Sequence, residues 1–162
     1  MNTQNKVAGG AAINRHNGDA VAGYDSAVNT FNGNATAGDC SAAQSWKGNA
    51  TAGYSSAART NNGDATAGDW SAVRSDVGGA TGGNGSAVRS DLGDATAGDS
   101  SAVRSLSGTA TVGDHGIAWG KSVQLGDGSV GVIVDDQGEI IKVIINSAKK
   151  IKVIYQKVEK SD

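Results

Sequence analysis

Apolar and polar positions alternate along this chain in a pattern that restarts every fifteen residues. In the typical repeat the phrase A-T-A sets two alanines on one side of an extended strand and threonine on the other. The phrase S-A-V-R-S then sets serine and valine against alanine and arginine. Strict two-residue alternation over short runs predicts half-buried strands, and the glycines between the runs predict sharp bends. Gly18, Gly33, Gly48, Gly63, Gly78, Gly93 and Gly108 form one row, and Gly23, Gly38, Gly53, Gly68, Gly83, Gly98 and Gly113 a second. Neither row contains an insertion.

A period of fifteen is too short for a helical hairpin, which takes roughly 34 residues in the commonest helical repeats. It is enough for two short strands and two turns, one coil of an all-β solenoid or β-roll. Equivalent residues of successive coils then stack about 4.8 Å apart, and each backbone N–H and C=O pairs with the coil above or below. Alternation points the alanines of A-T-A inward with valine and serine, and leaves threonine, the other alanine and arginine outside. The segment KVAGGAAINR fits as a partial coil, with Ala12 and Ile13 in the alanine and valine columns.

Near residue 122 the pattern changes to β-branched runs, and three strands are predicted at about 129–134, 139–146 and 150–158, joined by turns at 135–138 and 146–149. Alternation places Ile141, Val143 and Ile145 on one face with Ile151, Val153 and Tyr155 as partners. The expected organisation is an N-terminal partial coil over 1–17, a solenoid of seven coils over 18–122, and a small antiparallel β domain over 123–162. The last closes the open edge of the stack, or joins copies, or both.

Composition then removes several functions. Twenty-five glycines and 4% aromatics would suggest disorder in an aperiodic chain; the period reverses that reading. Net charge is −2, and no block of like charges marks a nucleic-acid arm, so nucleic acid is not an expected partner. No signal peptide or long apolar run is apparent, which predicts no membrane partner and a cytoplasmic or virion-associated location. Cys40 stands alone, so no disulfide framework exists.

The columns A-x-A-G-x-x-S-A-V/A over residues 6–122 resemble the head repeats of trimeric autotransporter adhesins. They are more similar still to Gly/Ser/Ala-repeat β-roll proteins of phages and gut bacteria. The resemblance implies a left-handed roll and a homo-oligomer, with a trimer favoured. The chain shows no coiled-coil stalk and no anchor, which sets it apart from a complete adhesin.

The candidate chemistry lies in the outer columns. Arg59, Arg74, Arg89 and Arg104 could meet an acidic glycan or polyanion, but residues 18–122 hold six basic against ten acidic side chains. Pairing with neighbours such as Asp76 and Asp91 is the simpler expectation. Tyr24, Phe31, Trp46, Tyr54 and Trp70 gather in the first four coils and could contact a protein or glycan partner. Thr36, Thr51, Thr66, Thr81, Thr96 and Thr111 form one hydroxyl row, where an ice-binding wall needs two. Asp39, Asp69, Asp99 and Asp114 follow the second glycine row, but one coil supplies too few oxygens for Ca²⁺.

The G-x-G-x-x-G at Gly126, Gly128 and Gly131 leads into a strand, the wrong setting for a dinucleotide. His16 and His115 lie far apart, and no catalytic, metal or cofactor constellation emerges. The expectation is a non-enzymatic structural or binding protein, with a small host-protein inhibitor and an ice-binding protein as alternatives. Ala65→Leu or Ala95→Leu should overpack the narrow interior and cost about 1 to 3 kcal/mol or more, read as a lowered midpoint of urea denaturation.

Overall fold

The computed structural model describes residues 5–148 and 150–157. Within them the chain is all-β, a solenoid of about eight turns followed by antiparallel strands. Short strands alternate with long ones along the chain. The short set is β1 (Asn5–Val7), β3 (Ala20–Ala22), β5 (Ala35–Thr36), β7 (Ala50–Thr51), β9 (Ala65–Thr66), β11 (Ala80–Thr81), β13 (Ala95–Ala97), β15 (Thr109–Val112) and β17 (Ser122–Leu125). The long set is β2 (Ala12–Asn17), β4 (Ala27–Asn32), β6 (Ala42–Lys47), β8 (Ala57–Asn62), β10 (Ala72–Val77), β12 (Ala87–Ser90), β14 (Ala102–Ser105), β16 (Ile117–Gly120) and β18 (Val130–Val134). Two further strands, β19 (Ile140–Ser147) and β20 (Lys150–Gln156), end the described chain.

Each set forms one parallel wall, nine strands in the short sheet and nine in the long sheet before β19 and β20 extend the latter to eleven. The register is the sequence period itself: Ala72, Val73, Arg74 and Ser75 face Ala87, Val88, Arg89 and Ser90. Ala12 and Ile13 lie beside Ala27 and Val28, so the N-terminal segment is a coil of the stack. Like therefore sits on like, and one position's environment is its own residue type repeated.

The interior follows the predicted faces. Ala35, Ala50, Ala65 and Ala95 are fully buried opposite Val28, Ala43, Ala58, Val73, Val88 and Val103, each at most 3% exposed. The space between the walls is so thin that serine and threonine complete it, and each buried hydroxyl is bonded. Ser45, Thr60, Ser75, Ser90 and Ser105 donate to the carbonyls of Gly33, Gly48, Gly63, Gly78 and Gly93 at 2.7–2.8 Å. At the opposite corner, the N–H groups of Ser41 and Ser56 donate to the hydroxyls of Ser56 and Ser71 in the next coil.

The two glycine rows answer different demands. Gly63 holds a left-handed φ of 141°, and a Cβ there would lie 2.4 Å from the Gly48 carbonyl oxygen. In the second row the backbone is ordinary and space decides. A Cβ on Gly53 would come 2.0 Å from Asp39 Oδ1, which accepts the Tyr54 N–H at 2.7 Å. The tightest left-handed turns fall two residues further on, and they tolerate side chains. Asp25, Cys40, Ser55, Trp70, Ser100 and His115 all have φ between 52° and 57°. Each donates its N–H to the next coil, as Cys40 does to the Tyr54 carbonyl at 2.9 Å, which offsets the strain of left-handed backbone.

The last coil departs from the period. Ile117 pairs with Val130 and Ala110 with Val123, an offset of thirteen residues. The two residues are lost at the corner between β16 and β17, where the first glycine row would continue. Gly131 falls in the valine column beside Ala118, and a side chain there would strike Val123, Ile144 and Leu125. Those three close the end of the core, and Ile144 is the buried residue of β19.

The strand β18 is thus parallel to β16 on one edge and antiparallel to β19 on the other. The three C-terminal strands lie where expected, but their facing differs. An irregularity between Val143 and Ile144 keeps Tyr155 opposite Val143, yet sets Val153 opposite Ile144 and Lys152 opposite Ile145. One extra residue on β20 thereby turns Ile151 and Val153 to the inner side and away from Val143 and Ile145. Asn146 donates through Nδ2 to the Leu125 and Gly126 carbonyls at 2.9 and 3.1 Å, capping the final turn.

Ser75→Ala leaves the part-buried Gly63 carbonyl without its hydroxyl partner and should cost about 1 kcal/mol in urea denaturation. Ser75→Thr should be close to neutral, because Thr60 already fills the same column with the same bond.

Candidate binding surface

The outer face of the long sheet carries three columns set by alternation. The first is alanine from Ala12 to Ala102. The second runs Asn14, Asn29, Gln44, Arg59, Arg74, Arg89 and Arg104, and the third runs His16, Phe31, Trp46, Asn61, Asp76, Asp91 and Leu106. Because the second and third columns lie on one face, cations stand beside acids in the middle coils. Arg74 Nε meets Asp76 at 2.9 Å, its Nη2 approaches Asp91 at 3.6 Å, and Arg89 Nε meets Asp91 at 2.8 Å. Asn61 adds a bond from Nδ2 to Asp76 at 3.1 Å. The guanidinium of Arg104 lies over the Trp119 ring at 4.0 Å, an attraction of cation for ring face. Three of the four candidate arginines are thus engaged with their own wall.

The candidate aromatics divide between opposite edges of that wall. Phe31 and Trp46 stack with His16 in one ladder, with ring centroids 5.0 and 6.1 Å apart and planes within 9°. Face-to-face stacking consumes ring faces and shows edges to solvent. Tyr24, Tyr54 and Trp70 lie at the turn before the long strand, about 20 Å away across a six-residue strand, and are 61%, 51% and 64% exposed. The Tyr24 phenol is held above its usual pKa, first by a hydrogen bond with the Cys40 side chain and then by nearby negative charge.

On the short sheet the six threonines form one outward row in register. Its neighbours are a glycine row and a ladder of side-chain oxygens. Asp19, Asn34, Asn49, Asp64 and Asp94 each accept the N–H of the equivalent residue one coil on, at 2.8–2.9 Å. Asp39, Asp69, Asp99 and Asp114 do the same after the second glycine row. One oxygen of each carboxylate therefore closes a turn. No group of three or more His, Cys, Asp or Glu side chains among the described residues is placed to hold a metal ion.

Sequence reasoning passed over one surface. From β16 to β19 two of the outer columns turn apolar: Ala102 is followed by Ile117, Val130 and Ile145 before Lys152 on β20, and Arg104 by Trp119, Val132, Val143 and Tyr155. A shallow groove lined by Ala87, Ala102, Arg89, Arg104, Ile117 and Trp119 leads into this face. The signal available in the sequence was a tryptophan in an arginine column.

Asp91→Asn should lower stability by no more than about 1 kcal/mol, because both partners are partly exposed. The deficit in thermal unfolding should shrink as salt is raised. Compared with protein-family models, with curated proteins and with solved structures, the chain finds no match.

Proposed function

We propose that this chain is a non-enzymatic structural and binding protein, a homo-oligomeric solenoid rod of the phage-associated or adhesin-head-like kind. The observation that carries the reading is the use of the polar groups. Backbone, buried hydroxyl and turn carboxylate oxygens are spent on holding the next coil, and the side chains left over stand in fixed outer columns. Such a molecule suits spacing and display. Nine rungs at about 4.8 Å make a rod about 40 Å long, and stacking further coils lengthens it without changing its cross-section.

Three extra copies of residues 63–77, inserted in register after Val77, should therefore lengthen the particle by roughly 14 Å in small-angle scattering and unfold as cooperatively as the parent. Light scattering on the unaltered chain should give more than one copy per particle. An insert that adds flexible coil, or a parent that stays monomeric, would overturn the reading.

A further inference from the structure

The turn before each long strand holds one residue per coil in the left-handed conformation, and Trp70 and Gly85 occupy that position in adjacent coils. A Cβ on Gly85 would lie 2.7, 2.9 and 3.0 Å from Cε3, Cδ2 and Cζ3 of Trp70. Three bonded ring atoms at nearly one distance put that point over the face of the ring, since an approach in the ring plane would leave the outer two farther away. The indole therefore lies flat on the glycine. The backbone does not call for glycine at 85, because Ser55 and Ser100 hold the same turn at φ 52° and 54°; the ring does. His115 repeats the arrangement against Gly128. With one face seated and the residue 64% exposed, Trp70 turns its other face to solvent.

The groups around that face are polar. Ser55 and Ser100 lie in the same column, Asp69 and Asn84 in the column beside it, and all four are exposed. Oδ1 of Asp69 accepts the Asn84 backbone N–H, and Oδ1 of Asn84 accepts that of Asp99, both at 2.7 Å. The second Asp69 oxygen, the Asn84 amide nitrogen and both serine hydroxyls have no hydrogen-bond partner among the described residues. Tyr54 stands one rung from Trp70 and Tyr24 three, so exposed aromatics extend about 14 Å along this edge of the rod.

We propose that this edge binds a neutral, extended β-1,4-linked glycan, with one sugar ring stacked on the open face of Trp70. The inference rests on the binding part of the reading above and supplies the site and the ligand class. An indole face is electron-rich, and a pyranose with equatorial hydroxyls presents polarised axial C–H groups to it. The sugar hydroxyls then reach the rim, where Asp69 accepts, Asn84 donates and the serines do both. Other ligands fail on charge or shape. Asp39, Asp69, Asp99 and Asp114 line the same edge and repel a polyanion. A cage for a cation needs several rings, and an apolar partner would cover the rim groups unpaired. An extended chain follows a straight rod and meets Tyr54 and Tyr24 in turn.

Isothermal titration of the full chain with cellohexaose and with chitohexaose tests it; the two share the β-1,4 backbone and differ at C2. At least one should bind, and Trp70→Ala should weaken that binding at least about tenfold. Gly85→Ser is the second variant. Serine already fits this turn in two other coils, so the fold stands, while the new Cβ lifts the indole from its seat and should weaken binding in the same direction. Trp46→Ala, on the opposite edge, should leave the affinity unchanged. A parent that binds neither sugar at millimolar concentration, or variants that bind as the parent does, overturn the site and leave the oligomeric rod intact. Dissociation of the oligomer by Trp70→Ala, read in sedimentation velocity, would assign this edge to contact between copies and overturn the glycan. A monomeric parent that binds through Trp70 supports the site and overturns only the oligomeric reading.

Discussion

Everything in this molecule follows from one spacing. Equivalent residues of successive coils stand one strand apart, about 4.8 Å, so in most columns a side chain meets its own kind in the coils above and below. Gly63 sits on Gly48 because a Cβ would occupy the carbonyl below it. Alanine fills the inner column of the short strand because the opposite wall is too near for more. Aspartate and asparagine line the turns because a carboxylate or amide oxygen reaches the N–H one coil on. Composition that would normally forbid folding becomes the condition for it, since hydrogen bonds between coils replace much of the cohesion of a large apolar core.

That same spacing explains what could be read from the sequence. A column recurring without insertion announces both register and face, so the inward alanines, the outward threonines and the placement of Ala12 and Ile13 were all legible. What a column does with its polar atoms was not. Asp39 reads as a turn residue beside glycine; its bond to Tyr54 N–H links residues fifteen apart and becomes visible only when the coils are stacked. Ser75 likewise reads as a small inward residue, with no hint that its hydroxyl holds the Gly63 carbonyl.

The end of the repeat was hardest to read, for reasons that are local. Two residues fewer between β16 and β17 moved Gly131 into a core column. One residue more on β20 reversed the facing of Ile151 and Val153. The first is a two-residue step, which keeps the faces and changes the column; the second is a single step, which exchanges the faces of a strand. The candidate surfaces suffered similarly: five aromatics close in sequence proved to be two groups on opposite edges, because the fold separates turn from strand end.

The left-handed turn of each coil has a further meaning. In seven successive coils, that position is held by Asp25, Cys40, Ser55, Trp70, Gly85, Ser100 and His115, all with φ between 52° and 63°. The stack demands the N–H there and leaves the side chains of Asp25, Cys40, Ser55, Trp70, Ser100 and His115 exposed. The rod thus has one address per coil at which chemistry can be rewritten independently of folding, and a lineage built on such coils could acquire or exchange a recognition surface one rung at a time.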